Sequence, residues 1–201
     1  MRTLENALRR VGFCYVAGAD EAGRGCLAGP VVAAAVVLHP DRHIPRVSDS
    51  KLVPAAERAR LFDLIVRDAV AWAVAAADPR EIDHINIHQA SLRAMQRAVM
   101  ALAPLPDIVL VDAFRVPDLP MAQRSVLHGD RRCSAIAAAS IIAKVTRDRQ
   151  MVALHGEDPR YGFDRHKGYA TADHLEAVAR FGYSDAHRRS FRPATLFDTI
   201  D

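Results

Sequence analysis

The chain has 201 residues, half of them hydrophobic, and a net charge of +3; that is enough to bury one core and favours a single domain over residues 1–201. Its longest apolar runs, such as Ala69 to Ala77, fall far short of the roughly 20 residues that span a bilayer, which excludes a membrane helix. Charges at Glu5, Arg9 and Arg10 stand where a secretory signal would need its apolar centre, and Cys14, Cys26 and Cys133, without C-x-x-C spacing, suggest neither a disulfide framework nor a zinc ribbon; a soluble cytoplasmic protein with buried or inert thiols is expected.

In chain order, residues 14–19 and 31–38 (VVAAAVVL) read as strands joined by a Gly-rich turn short enough for an antiparallel hairpin. Pro54 opens a stretch with apolar residues at helical spacing, predicting one long amphipathic helix ending near Asp78-Pro79. A second helix fits Gln89 to Leu102, stopped by Pro104 and Pro106. IVLVDA (108–113) follows as a buried strand and SVLH (125–128) as a shorter one running to Gly129-Asp130. Cys133 to about His155 reads as a helix that is apolar first and charged later, and Asp173 to Phe181 as a short helix, with Glu176 three residues after Asp173 in a capping-box pattern. This order predicts an α/β protein, a mixed sheet covered by helices.

Three of these strands lead into acids: Asp20-Glu21, Asp112 and Asp130. Taken singly, such an acid is usually a solvated strand end or a helix cap. At comparable positions the four could converge on one site. Neighbours in a flat strand face opposite ways, so Asp20 and Glu21 share a site only if the strand stops or bulges, which Ala22-Gly23 would permit. Packed carboxylates repel and raise one another's pKa, and a hard divalent cation removes the conflict. Oxygen-only ligation suits Mg²⁺ or Mn²⁺ better than Zn²⁺, and two such ions about 4 Å apart would activate water and stabilise the leaving oxygen of a phosphodiester. Gly23-Arg24-Gly25 beside the acids is either a tight turn with an exposed arginine or a place where backbone can approach a ligand closely. His84 and His88 lack an acid at zincin spacing and read as ordinary helix or loop histidines. Arg147 and Asp148 read as a surface ion pair.

Two charge features add to this. Residues 160–192 hold seven Lys/Arg against four Asp/Glu, the whole of the net charge; the stretch is either a solvated surface or one facing an anionic polymer. Of 27 basic residues only Lys51, Lys144 and Lys167 are lysine, which marks either chance survivals or sites that need a point charge.

DEAGRG with AGPVVAAAV, DSK (49–51), LVDA (110–113), GD (129–130), AAASIIAKVTRD (137–148), YGFDRHKGYAT (161–171) and HRRSF (187–191) resemble bacterial ribonuclease HII, in order and at family spacing from about residue 14 to 193. All three lysines fall inside these blocks. The resemblance implies a ribonuclease H-like fold with a small C-terminal helical appendage, residues 160–201 contributing to substrate binding. It implies endonucleolytic cleavage of RNA in RNA/DNA hybrids, and 5′ of single ribonucleotides in duplex DNA, leaving 3′-hydroxyl and 5′-phosphate ends. It maps the metal-binding acids onto Asp20, Glu21, Asp112 and Asp130, with Mg²⁺ or Mn²⁺, two ions per site, as cofactor. It assigns reading of the RNA-to-DNA junction to Gly23, Arg24, Gly25 and Tyr169, with Lys167 beside the tyrosine and Lys51, Ser140 and Lys144 as phosphate contacts; Ser140 could instead merely bond backbone. The partners implied are nucleic acid and no membrane, and a monomer is expected. Cys26 stands where proline is common, His128 where a lysine usually precedes Gly129-Asp130, and DSK runs into Leu-Val-Pro. The related HIII type would carry a further N-terminal domain and a glutamate as last acid. A non-catalytic hybrid-binding protein has no need of acids near phosphate, and a small-phosphoester hydrolase none for the basic stretch.

Overall fold

The run VVAAAVVL forms β2 (Val31–Leu38), and all eight of its residues are buried. It pairs antiparallel with β1 (Val16–Ala22) on one side and with β3 (Ala69–Ala77) on the other. β1 then pairs in parallel with β4 (Ile108–Asp112), and β4 with β5 (Ala122–Val126), giving a mixed five-stranded sheet in the order β3-β2-β1-β4-β5. The computed structural model describes residues 3–45, 47 and 53–191.

Helices cover both faces. On one lie α2 (Ala55–Asp68) and α6 (Ser134–Glu157); their Leu61, Ile65, Ile136 and Ile141 pack with Val16, Val36 and Leu110 of the sheet. On the other, α4 (Ile87–Met100) packs Leu92, Met95 and Val99 against Ala17, Ala19, Ala33 and Ala35. The small residues set the spacing of these layers. A Cβ on Gly18 would lie 2.1 Å from the carbonyl carbon of Ala135, so the start of α6 rests directly on the backbone of β1. The N-terminal helix α1 (Thr3–Arg10) reaches the same place: Glu5, buried, accepts from the Ala135 amide at 2.9 Å and the Cys133 thiol at 3.3 Å, a carboxylate at the N-terminus of α6.

Several sequence expectations need correction. The long helix predicted from Pro54 to Asp78 breaks at Ala69: AVAWAVAAA is a strand. Its Val70, Trp72 and Val74 recur at period two, and pairing along β2 overrides the helix preference of its alanines. A separate helix, α3 (Pro79–Ile85), follows, capped by Asp78, whose carboxylate accepts from the Glu81 amide at 2.8 Å. β5 lies earlier than SVLH suggested, and Asp130 sits not at a strand end but in the short helix α5 (Gly129–Arg132), entered through His128 at φ 52°. In the C-terminal part, a 3-10 turn (Pro159–Tyr161), α7 (Phe163–His166) and α8 (Ala172–Phe181) enclose a small core of Leu27, Met151, Tyr161, Phe163 and Val178. The cap of α8 is Thr171, which accepts from the His174 amide, rather than Asp173. All three cysteines are free thiols; Cys26 and Cys133 are buried and Cys14 is exposed.

Candidate active site

β1 runs without a bulge through both acids, Asp20 opposite Ala34 and Glu21 opposite Ala33, and stops at Ala22, where Ala22-Gly23 permits a break. The two carboxylates therefore leave the strand on opposite faces, as strand alternation demands. Asp20 points to the α6 side, where the Ser140 hydroxyl hydrogen-bonds it. Glu21 points to the α4 side and pairs with Arg24 at 3.1 Å, and the Arg24 guanidinium stacks 4.6 Å over the Phe114 ring. They share a neighbour because β4 stops at Asp112, one step past the Ala19↔Val111 pair, leaving the sheet open beside Asp20. The Gly129 amide donates to Asp112 at 2.7 Å, which ties the end of β4 to the helix that carries Asp130.

The same proximity sets the electrostatics of the acids. Burial pushes the Asp20 carboxyl well above the usual carboxylate range, and Glu21 and Asp112 push it further, against the Ser140 hydrogen bond. Burial also raises Glu21; Arg24 opposes the shift and Asp112 adds to it. The donor set is oxygen only, crowded and of one sign, which fits Mg²⁺ or Mn²⁺ and does not fit Zn²⁺. The side chains are neighbours rather than a closed cage: among the described residues no three His, Cys, Asp or Glu are grouped to hold one ion.

Beside the acids, residues 23–26 make a turn, with the Cys26 amide on the Gly23 carbonyl at 3.4 Å. Gly23 has φ +95°, and a Cβ there would strike the Arg147 side chain at 2.0 Å. The segment after the turn pairs with the loop of Tyr169, Leu27 and Ala28 amides donating to the Gly168 carbonyl at 2.8 and 3.3 Å. Tyr169 is 44% exposed, burial and the neighbouring Cys26 raise its hydroxyl above the ordinary tyrosine value, and the Lys144 ammonium lies 5.9 Å from its ring centre. Cys26 thus lies beside Tyr169. Lys144 also pairs with Asp148 at 2.6 Å, and the Lys167 ammonium donates to the Asp164 carbonyl. Lys167 lines a groove of about 340 Å³ with Arg58 and Arg149. Lys51, with all of DSK, lies outside the described residues.

Two arginines escaped the sequence reading as site residues. Arg147, expected on the surface, is fully buried and donates to the carbonyls of Pro30, Lys167 and Ala28 at 2.9, 2.9 and 3.0 Å. Arg188 of HRRSF is equally buried and donates to the carbonyls of Gly29, Arg24 and Gly23. The apolar residues around Arg147 in AAASIIAKVTRD were the available signal, since an arginine on the buried face of a helix must find partners inside. His84 and His88 lie on α3 and α4, and His88 packs edge-on against Phe114.

With this geometry in place, comparison with known proteins is decisive. Residues 17–194 match the family model "Ribonuclease HII". A ribonuclease HII of Methylibium petroleiphilum is 54% identical over 177 residues, 88% of this chain and 89% of that protein. One of Bacillus cereus is 51% identical over 193 residues, 96% of this chain and 75% of the other. The crystal structure of ribonuclease H2 from Pyrococcus horikoshii superposes with a TM-score of 0.73 at 27% identity, covering 88% of this chain and 93% of that one.

The chain belongs to the ribonuclease HII family. It is an endoribonuclease with a ribonuclease H-like mixed sheet, and the non-catalytic binder is set aside. No described helix of this ribonuclease HII is long and apolar enough to cross a membrane.

A buried histidine pair supports its Tyr169 loop. The Ser184 amide donates to His187 Nδ1 at 3.0 Å, so His187 donates from Nε2 to His174 Nε2 at 3.1 Å, and His174 Nδ1 donates to the Tyr169 carbonyl at 2.8 Å. The pattern requires both rings neutral. Burial, with the other histidines adding, holds both at about 4, below the ordinary value of 6.5. The unfolded chain therefore takes up protons that the folded chain refuses as pH falls from 6.5 towards 4. Stability from the pair is complete above pH 6.5 and is lost across that interval, at about 1.4 kcal/mol per pH unit for the first proton. Thermal unfolding should show Tm falling between pH 6.5 and 4.5, and His187→Asn should flatten that slope.

Proposed function

We propose that this enzyme cuts the RNA strand of RNA/DNA hybrids and cleaves 5′ of single ribonucleotides embedded in duplex DNA, leaving 3′-hydroxyl and 5′-phosphate ends. Family membership supports the reaction, and one observation carries the substrate: the Gly23-Arg24-Gly25 turn is joined at one end to the acids, through the Arg24–Glu21 pair at 3.1 Å, and is followed by a segment hydrogen-bonded to the Tyr169 loop. A group that cuts and groups that contact backbone and sugar then lie along one strand and its following turn.

Asp20, Glu21, Asp112 and Asp130 would hold two Mg²⁺ or Mn²⁺ ions. When bound, such ions supply an activated water and charge stabilisation at the leaving oxygen. The chain's own residues prepare the site. Ser140 orients Asp20 by its hydrogen bond, and the Gly129 amide orients Asp112. Arg24 balances Glu21 and offers positive charge to a phosphate. Tyr169, partly exposed, offers a ring face to a deoxyribose next to the ribonucleotide. Lys144 and Lys167 would contact phosphates by exchanging Asp148 and the Asp164 carbonyl for the ligand, and Lys51 completes the set of point charges. Residues 160–201 form a substrate-binding part of one catalytic domain; a monomer acting in the cytoplasm belongs to the same proposal.

The test is a labelled duplex carrying one ribonucleotide. Cleavage on its 5′ side with Mg²⁺ or Mn²⁺, stopped by a chelator and absent in Asp112→Asn, is expected. Equal cutting of an all-DNA duplex would overturn the substrate reading, and full activity of Asp112→Asn the ligand assignment.

A further inference from the structure

Arg188 sits under the turn at 23–26 with no side chain of opposite charge bonded to it: among the described residues it forms no ion pair, although it is fully buried. Its donors go to backbone instead, Nε to the Gly29 carbonyl at 2.9 Å, Nη1 to that of Arg24 at 2.9 Å and Nη2 to that of Gly23 at 2.7 Å. A guanidinium is costly to bury unless its donors are used, and its rigid fork can hold several carbonyls in one arrangement as an ammonium cannot. The segment bearing it is anchored in turn: the Asp83 carboxylate accepts from the Arg189 and Ser190 amides at 2.8 and 2.9 Å.

The consequence lies on the far side of the turn. In a trans peptide the carbonyl and the following amide point in opposite directions. Drawing the Gly23 and Arg24 carbonyls inward therefore turns the Arg24 and Gly25 N–H groups outward. Neither amide donates a hydrogen bond among the described residues, Gly25 is exposed, and a Cβ built on it meets nothing within 4 Å. Two adjacent unpaired donors facing open space, two and three residues past the end of the acid-bearing strand, form a small receptor for an oxygen.

We propose that Arg188 is a positioning residue for ribonucleotide selection, aiming the Arg24 and Gly25 amides from inside the protein at the 2′-hydroxyl oxygen. This rests on the reading of Gly23-Arg24-Gly25 as the ribonucleotide-contacting turn. Arg188 itself never meets the substrate; the buried cation also keeps the turn at positive potential. Lysine in its place would keep the charge and lose the fork.

Binding without cleavage separates the possibilities. Fluorescence anisotropy with Ca²⁺ in place of the catalytic metal would compare a one-ribonucleotide duplex with its all-DNA counterpart. Wild-type protein is expected to prefer the ribonucleotide by roughly tenfold, and folded Arg188→Lys to lose that preference while holding all-DNA duplex within about threefold of wild type. A purely structural role would weaken both duplexes together and would overturn the proposal. Preference retained by folded Arg188→Lys overturns the clamp alone, whereas no preference in wild type overturns the reading of the turn beneath it. Should Arg188→Lys fail to fold, hydrogen exchange on wild type decides: the Arg24 and Gly25 amides should slow by roughly tenfold with the ribonucleotide duplex and not with all-DNA, and equal rates with both would overturn the proposal.

Discussion

Replacing Asp20 with Asn should abolish cleavage and at the same time make the metal-free protein more stable. The carboxylate is 7% exposed, and burial, Glu21 and Asp112 all favour its protonated form. A group whose folded pKa is raised contributes stability at low pH that is lost as pH climbs, so at neutral pH the Asp20 carboxyl works against the fold. Asparagine keeps the shape, can still bond Ser140, and removes the repulsion. A gain of about 1–2 kcal/mol is expected, a rise in Tm of roughly 2–6 °C for a chain of this size, measured by thermal unfolding in chelator. Cleavage should fall by at least about a thousandfold, because the several kcal/mol that bound cations lend to the transition state are lost with an anionic ligand. A variant that is both less stable and still active would contradict the picture of a strained, functional carboxylate.

Arg147→Met should be among the most damaging substitutions outside the acids. It leaves three carbonyls, of Ala28, Pro30 and Lys167, without their donor in a closed interior. Unsatisfied buried groups cost about 1–3 kcal/mol each, and partial relaxation brings the expected loss to about 3–5 kcal/mol, read as a fall in Tm of roughly 10 °C or more. Asp148→Asn, one residue on, removes a partly exposed pairing with Lys144 and should cost below about 1 kcal/mol. Similar small losses for the two variants would mean that the carbonyls find other donors and that Arg147 is dispensable to the fold.

The contrast between residues 147 and 148 shows where the sequence could be read and where it could not. Periodicity located β2 and α6 within a residue or two, because a continuous buried run and a long apolar helix allow few alternatives. It failed at Ala69–Ala77, where an alanine-rich run is locally helical and only the edge of β2 makes it a strand. Asp20, Glu21 and Asp112 were legible as acids near strand ends, whereas Asp130, read the same way, lies in α5; the sheet brings Asp20 and Asp112 side by side, and that Glu21, on the opposite face, would also neighbour Asp112 required knowing where β4 stops. The apolar neighbours of Arg147 signalled only that it needs partners inside; which carbonyls Arg147 and Arg188 would brace was not legible, since most of those lie more than a hundred residues away. The point-charge reading of the lysines stands apart: Lys144 and Lys167 are both engaged within the protein, and Lys51 lies outside the described residues.

One more consequence follows from α6. Over its 24 residues, about 36 Å, this single rod carries Ser140 under the acids, Arg147 under the glycine turn and Met151 under the C-terminal core. No joint separates the part that would sense a sugar from the part that would sever the chain. The offset between them is a fixed length, as on a gauge block, so a duplex carrying a single ribonucleotide should be cut at one linkage and yield one end rather than a ladder.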